Sequence, residues 1–435
     1  MSALKLHTLK QKLWATVAAS FVARVVMFFA LPSTPSFLGP DEATYAGLTK
    51  WIGESKPAFE FPAYGEKLYK SGRSIIIPSS ILFRAGFNEL DAVRLTSSLY
   101  GFCSLILITC FVLNLKKLFA DKVGMEKYNE NLITGAFAIF AFLPSHFLWS
   151  NLGLRESATE FWLISAVISF FAFLHLNKRI GFMATFPLFA SISLTFSSRP
   201  QVGWVLSTSL FFYSLLKLKS PRTYLLIPLV FCAALLGGSL TLGSTGISSD
   251  LNTKNNFVIE TINPVLGAGE AVSKKQELNQ IDAASVIEPP ECSWENLTLV
   301  DTPSAPFGTY FCIAWRAPYM ISTFLFRPAL GIDTTSTLGF LAAVENTFWL
   351  GIFVAIVVLG IRRRAISFLA PILPALIFLS LYVLGASAYQ GNMGTGFRHK
   401  SLILWAVLLL IFALAWRKPE ETSQEPRNNS QESAV

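Results

Sequence analysis

Long apolar runs, separated by short polar stretches, recur along most of this 435-residue chain. Each run approaches the roughly 20 residues that an α-helix needs to cross the hydrocarbon core of a bilayer. The pattern predicts about ten spanning helices, which start near Leu13, Asp91, Leu132, Glu156, Ile180, Pro200, Tyr224, Leu338, Ser367 and Ser401. We therefore expect an all-α polytopic membrane protein.

Two stretches depart from this pattern. The segment "SIIIPSSILFRAGF" is apolar but short and contains Pro78 and Arg84, which predicts a juxtamembrane helix, interfacial or re-entrant, in the first external loop. Residues 243–337 are too polar for lipid and form an extracytoplasmic loop or small cap domain. The expected division is a transmembrane module at 1–242 with its first external loop at 33–90, the loop or cap at 243–337, further transmembrane helices at 338–416, and a disordered tail at 417–435.

The charges add sidedness to this arrangement. A net charge of +8 could indicate a nucleic-acid partner, but the basic residues cluster in alternate loops, and this distribution is typical of the cytoplasmic side of a membrane protein. We therefore exclude nucleic acid and expect cytoplasmic N- and C-termini in a plasma (inner) membrane. Lysines before the first run resemble the start of a signal peptide, but Arg24 and the lack of a small-residue cleavage site favour a retained helix.

The opposite, extracytoplasmic side carries an acidic pair, Asp41 and Glu42, directly after Pro40. One reading is helix initiation, because proline suits the first turn and carboxylates complement the positive end of the helix dipole. The other is chemical. Asp41, Tyr45 and Leu48 share one helix face, and a carboxylate at a membrane boundary could act as a general base towards a hydroxyl.

Two charges fall inside apolar runs. Arg24 lies near the middle of the first predicted span, where an unpaired charge costs at least about 2.5 kcal/mol, so we expect it to make an interior polar contact. Glu345 raises the same question in a later span. A structural ion pair explains it equally well.

Other polar residues gather at the predicted external turns. The stretch "LPSHFLWSNLGLRESATEFW" holds His146, Arg155, Glu156 and Glu160, and the two glutamates share a helix face, so a cation should lie close to them. Further candidates are Arg199 in "SSRPQ" and the group Arg398, His399 and Lys400. Arginine suits phosphate because its planar fork makes two charged contacts. A membrane-flanking cation is the alternative for Arg398.

The cysteines offer one pairing. Cys292 and Cys312 could form a disulfide in the polar segment, and two free thiols are the alternative. No zinc-ligand or redox spacing is present, and the sequence also lacks the phosphate-loop, zinc-helix and nucleophile-elbow motifs.

The order of these features resembles the GT-C superfamily of integral membrane glycosyltransferases, especially the branch of protein O-mannosyltransferases and lipid A aminoarabinose transferases. The resemblance rests on Arg24, "PDEATY", "IIIPSSILFRAGF", "NELDAVRLTSSLYG", "LPSHFLWSNLGLRESATEF" and "GTGFRHKSLILW". It covers roughly the first 200 residues and the final 40. It implies transfer of a sugar from a polyprenyl-phosphate donor to an extracytoplasmic glycan, lipid or protein acceptor.

The resemblance also implies residue roles. Asp41, then Glu42, would be the base or the group that orients the acceptor, while Arg398, Arg155, Arg199 and Lys400 would match donor-phosphate positions. A second acid is common in relatives, and here Glu54, Glu60 and Glu66 are equally plausible. Some relatives bind a divalent metal, for which this sequence gives no clear ligand set. The expected site residues are thus the two acids, the four donor-phosphate cations, and Arg24, Tyr45, Glu156 and His399.

Two other classes stay open. A polymerase or ligase of lipid-linked glycans would also need external arginines and a large external loop. A transporter or flippase would line its path with Arg24 and Glu345, although we find no paired internal repeats.

Overall fold

The computed structural model describes residues 2–34, 41–60, 65–123, 127–175, 178–216, 221–242, 318, 321–330, 337–363, 372–389 and 399–417. Within these ranges the chain is helical apart from one pair of two-residue strands. The helices are α1 (Ser2–Ala30), α2 (Glu42–Gly53), α3 (Gly65–Arg84), α4 (Glu89–Val123), α5 (Glu130–Phe142), α6 (Pro144–Phe147), α7 (Arg155–His175), α8 (Lys178–Met183), α9 (Thr185–Ser198), α10 (Pro200–Leu216), α11 (Pro221–Leu242), α12 (Thr337–Arg363), α13 (Leu373–Tyr389) and α14 (Ser401–Ala415). A 3₁₀ turn lies at Ala58–Glu60, and β1 (Lys127–Tyr128) pairs with β2 (Trp416–Arg417) in antiparallel fashion.

Five of the described helical segments are long and apolar enough to cross a bilayer. They are Thr8–Ala30, Glu89–Asn114, Arg155–His175, Arg179–Ser198 and Phe340–Ile361. Shorter apolar helices cover Glu130–Phe142, Tyr224–Gly238, Leu373–Ser387 and Ser401–Ala415. The predicted start near Ser367 lies outside the described residues. Helix α3 is amphipathic and is not one of the spanning candidates among the described helices, and its interfacial or re-entrant position stays a prediction.

Local sequence explains where several helices begin. The side chain of Asn129 caps α5 by accepting a hydrogen bond from the backbone N–H of Leu132. Pro144 and Pro200 open α6 and α10, where the missing N–H of proline removes no helical hydrogen bond. The turn before α7 contains Gly153 at φ +62°, a conformation that glycine adopts without strain.

The hydrophobic core lies among α4, α5, α7, α9 and α14. All residues of α14 are buried, and this helix packs against α5, α7, α12 and α13. In contrast, α1 and α12 lie at the periphery, because only 22% and 17% of their spanning segments are buried. The first of these packs on α4 and α5, and the second on α14 and α6.

Polar contacts occur at two separate ends of the bundle. At one end, which we call the basal end, Lys12 pairs with Glu130 at 2.8 Å, and the backbone N–H of Asn129 donates to the carbonyl of Ala415 at 2.9 Å. At the other, which we call the site end, the end of α1 meets the turn before α7, and the start of α7 meets the junction of α9 and α10. Helices α2 and α3 pack on each other and on α4 at this end, through contacts such as that of Arg94 with Glu42.

Candidate functional site

Glu42 is a buried ion-pair partner in this structure. Its two carboxylate oxygens accept hydrogen bonds from Arg94 of α4, at 2.7 Å from Nε and 3.2 Å from Nη2, and both side chains are at most 1% exposed. The remaining donors of Arg94 reach the backbone carbonyls of Pro32, at 2.6 Å, and Thr34, at 3.1 Å. This arrangement ties the end of α1, the start of α2 and the first turns of α4 together.

Asp41 occupies the N-cap position of α2 and is partly exposed. Its side chain makes no capping hydrogen bond to α2. One turn further on, Tyr45 is 1% exposed. The charge of Asp41 lies within electrostatic range of the Tyr45 hydroxyl.

Tyr45 lies at the centre of the polar groups that the sequence singled out. Besides Asp41, its hydroxyl is within electrostatic range of Arg155, Glu156 and Arg199. Its buried hydroxyl has no hydrogen-bond partner among the described residues. Burial raises the pKa of Tyr45, and the nearby Arg155 opposes that shift. The hydroxyl is therefore a protonated donor at neutral pH.

Packing fixes the Tyr45 ring against α3. A methyl group added at Gly72 would lie 2.9 Å from the Tyr45 ring, closer than side-chain carbons approach, so the glycine makes room for it. The ring is thus held between α2 and α3 while its hydroxyl reaches the start of α7. We call Asp41, Tyr45, Arg155, Glu156 and Arg199 the Tyr45 cluster.

The cationic part of the cluster comes from two helix junctions. Arg199, between α9 and α10, donates through Nη2 to Glu156 Oε1 at 2.5 Å. Arg155 precedes Glu156 in the first turn of α7 and lies within electrostatic range of Arg199. Tyr382 of α13 is buried and within range of both Arg199 and Glu156. Two guanidinium groups thus accompany one buried carboxylate.

Arg24 makes the interior contact that its place in an apolar run demands. It lies six residues from the end of α1, about 9 Å along the axis, and so is nearer the site end than the middle position we predicted. Its guanidinium donates to Ser150 Oγ and, at 3.1 Å, to His146 Nε2. Gly101 of α4 permits this approach, because a methyl group there would lie 2.5 Å from Ser150 Cβ.

His146 links Arg24 to Glu160. A guanidinium group can only donate, so His146 Nε2 must be the acceptor and Nδ1 must carry the proton. Nδ1 lies 2.8 Å from Glu160 Oε1. The N–H does not point straight at this oxygen, so the two atoms are in close polar contact without an aligned hydrogen bond. Of the two glutamates on this face of α7, Glu156 thus contacts Arg199 and Glu160 contacts His146.

Lys400 is engaged with neutral oxygen atoms. Its buried ammonium group donates to the Asn346 side chain and to the backbone carbonyl of Leu325 at 3.0 Å. The neighbouring His399 is also buried, whereas Arg398 and the pair Cys292 and Cys312 lie outside the described residues. Through these contacts Lys400 holds residues 321–330 against α12. None of them involves a residue of the Tyr45 cluster.

The candidates for a second acid differ in their settings. Glu54 is exposed and hydrogen-bonded to Lys56 at 2.5 Å, and that hydrogen bond lowers the pKa of Glu54. Glu60 is exposed, and Glu66 belongs to α3. Glu160, buried against His146, was not proposed for this role from the sequence. Within the described residues, no group of three or more His, Cys, Asp or Glu side chains is arranged to hold a metal ion.

Sequence reasoning missed two contributors to this end of the bundle. Arg94 was quoted in "NELDAVRLTSSLYG" but not singled out, although an arginine two turns into a spanning helix is the same signal that identified Arg24. Tyr382 lies in an apolar run whose composition gives no hint of a polar neighbour, so only the three-dimensional packing reveals it.

Comparisons with protein families, with curated proteins and with solved structures give no match for this chain. What the site can do therefore follows from its chemistry. A buried tyrosine hydroxyl that has no partner within the described ranges, together with two arginine groups, offers hydrogen-bond donors to an anion. A partly exposed carboxylate nearby, Asp41, can accept a proton.

Proposed function

We propose that this protein is a membrane glycosyltransferase of the GT-C type, which moves a sugar from a polyprenyl-phosphate donor to an extracytoplasmic glycan, lipid or protein acceptor. One observation carries the proposal. The Tyr45 hydroxyl is buried without a hydrogen-bond partner among the described residues, within electrostatic range of Arg155 and Arg199. Because buried polar groups are nearly always satisfied, such a donor suits a bound anion.

Phosphate is the anion that these groups fit best. Each guanidinium can offer two parallel N–H donors to phosphate oxygens, and the Tyr45 hydroxyl adds one further hydrogen-bond donor. Glu156 holds Arg199 in place through its 2.5 Å contact. In this proposal Arg398 joins them as a further phosphate contact, on the strength of the sequence resemblance alone.

Asp41 is the proposed base. Glu42 has both oxygens committed to Arg94, whereas Asp41 is partly exposed at the start of α2. Asp41 takes the proton from the acceptor hydroxyl as that oxygen attacks the anomeric carbon. The bond between that carbon and the phosphate oxygen breaks, and its electron pair leaves with the phosphate. The arginine groups stabilise the charge that develops there.

The membrane arrangement belongs to the same proposal. We infer that α10 and the four shorter apolar helices also cross the bilayer, which with the five longer segments gives ten spans in a plasma (inner) membrane, with cytoplasmic N- and C-termini. The Tyr45 cluster then lies at the extracytoplasmic end. The basal end carries Lys12, in keeping with the excess of basic residues in cytoplasmic loops.

The test is transfer of radiolabelled sugar from a panel of polyprenyl-phospho-sugars to cell-envelope acceptors. Wild type is compared with Asp41→Asn and Arg398→Ala at matched protein levels. We expect incorporation by wild type and its loss in both variants. Asp91→Asn is the matched control, because Asp91 pairs locally with Asn88 at the start of α4 and should leave transfer unchanged.

Three outcomes would count against the proposal. Full transfer by Asp41→Asn removes its role as base, and full transfer by Arg398→Ala removes its phosphate contact. Flux of a lipid-linked sugar across proteoliposomes without any covalent product would instead identify a transporter.

A further inference from the structure

The one-turn helix α6 lies between the two most peripheral spanning helices, α1 and α12. Its consecutive residues Ser145 and His146 contact different neighbours. His146 meets Arg24 of α1, and the backbone N–H of Ser145 donates to Glu345 of α12 at 2.7 Å. Two charges of opposite sign, both buried at the periphery of the bundle, thus meet the same four-residue helix.

The contacts on the α1 side fix the orientation of the His146 ring. The ring stacks on Phe140 with centroids 4.5 Å apart, while the Arg24 guanidinium lies 5.2 Å from the ring centre of Phe147. Arg24 also donates to Ser150, whose own hydroxyl donates to the carbonyl of Phe147 at 3.0 Å. One guanidinium therefore contacts both α6 and the turn that follows it.

The contacts on the α12 side use both oxygens of Glu345. Oε2 accepts from the Ser145 backbone, and Oε1 accepts from Trp349 Nε1 at 3.0 Å. A glutamine could satisfy only one of these donors, because its amide nitrogen would face the other. Only a carboxylate can therefore accept both hydrogen bonds at this position.

The turn after α6 leads directly into the Tyr45 cluster. Asn151 accepts from Ser98 of α4 at 3.0 Å, Gly153 adopts its positive φ, and the next helix opens with Arg155 and Glu156. Fewer than ten residues therefore separate α6 from both of those side chains.

We propose that Arg24 of α1 and Glu345 of α12 clamp α6 in place, and that these two are positioning residues for Arg155 and Glu156. The clamp itself stands on the geometry, and its consequence for transfer rests on the proposed function. It assigns Arg24 a role through His146 and Ser150 and no contact with substrate.

The experiment is hydrogen–deuterium exchange of the full-length protein in lipid nanodiscs, read out for peptides that cover residues 144–154. The amides of Leu148, Ser150 and Asn151 are hydrogen-bonded within this stretch and report its opening. We expect Arg24→Met and Glu345→Gln each to speed their exchange about tenfold. Exchange at residues 130–135, at the basal end, should stay unchanged. Arg179→Met and Glu89→Gln make the same chemical changes at more exposed sites and serve as controls.

The double variant tests whether both residues act on one element. If they do, the exchange rate of residues 144–154 in the double variant rises by less than the product of the two single-variant increases. Unchanged exchange at 144–154 in both single variants, or an equal rise at both ends of the bundle, would overturn the clamp. These readouts need no substrate, so they decide the clamp even if the protein transfers no sugar.

A transfer assay then tests positioning. Because the substrate contacts persist but lie out of alignment, we expect kcat to fall about 100-fold in Arg24→Met while the donor KM stays nearly constant. A large rise in KM with kcat preserved would instead mark Arg24 as a binding residue. Failure of the proposed function would appear separately, as absence of transfer by wild type.

Discussion

Two Glu–Arg pairs lie at the site end, one fully buried and one with a partly buried arginine, and they differ in how fully their surroundings are satisfied. Glu42 and Arg94 form a bidentate pair, and the other Arg94 donors reach backbone carbonyls. Arg199 donates to Glu156 from Nη2, beside a second arginine and a Tyr45 hydroxyl that has no hydrogen-bond partner in the described part of the chain. The same two side-chain types therefore build a closed tie in one corner and an open cluster in the other.

The difference separates stability from binding. A saturated pair has no donors left for a ligand, and breaking it exposes an uncompensated buried charge. An incompletely satisfied cluster contributes less to folding but keeps hydrogen-bonding capacity for a substrate. The predictions below compare the two corners by changing one group at a time.

The largest effect is expected for Arg94→Met. This change leaves the Glu42 carboxylate buried without its cation, and should lower the free energy of unfolding by about 3 to 5 kcal/mol. Thermal unfolding in detergent, followed by tryptophan fluorescence, measures it. A loss below about 1 kcal/mol would show that Glu42 and Arg94 do not form the tie described here.

The next largest effect is expected for Gly153→Ala, at the turn that joins both corners. A residue with a side chain at φ +62° is strained by about 1 to 2 kcal/mol, and the new methyl group would lie 2.8 Å from Val93 Cγ1. We expect a loss of about 2 to 3 kcal/mol in the same unfolding measurement. Gly135→Ala in α5 is the control, since no atom lies within 4 Å of its added methyl group, and should be neutral or stabilising.

A smaller effect on stability is expected for Arg199→Met. Arg155 stays beside Glu156, so the free energy of unfolding should fall by only about 1 to 2 kcal/mol, while sugar transfer is lost. Unfolding and transfer measured on the same preparation test this. Destabilisation as large as that of Arg94→Met would erase the contrast between the corners.

The smallest effect on stability is expected for Tyr45→Phe. Removing a buried hydroxyl that has no hydrogen bond within the described part of the chain relieves a desolvation cost, so stability should stay within about 0.5 kcal/mol or rise. Donor affinity should nevertheless weaken. Tyr224→Phe, on an exposed position of α11, is the matched control. A clear loss of stability would show that the Tyr45 hydroxyl is satisfied within the fold.

The helices were the part of the structure most open to prediction from sequence. Apolar runs near 20 residues leave few alternatives to a helix in lipid, and capping residues such as Asn129, Pro144 and Pro200 mark several starts. The need of Arg24 for an interior partner followed from the cost of an unpaired charge. The identity of its partners could not be predicted, because Ser150 and His146 lie more than 120 positions away from Arg24 in the sequence.

Five residues named from the sequence lie close together, but the ion pairs among their surroundings were not predictable. Asp41, Tyr45, Arg155, Glu156 and Arg199 were all named from the sequence, and the structure brings them together. Asp41 was ranked before Glu42 on the resemblance alone. Which of them is committed to an ion pair depends on the helix rotation that turns Glu42 towards Arg94, and the sequence of α2 alone does not determine that rotation.

The burial of α14 bears on how the bundle is assembled during synthesis. This helix has no lipid-facing side, yet it follows in chain order every helix that it packs against. Until it emerges from the ribosome, the faces of α5, α7, α12 and α13 that pack on it lack that partner. Completion of the described core is therefore a late step of synthesis, which follows insertion of α14.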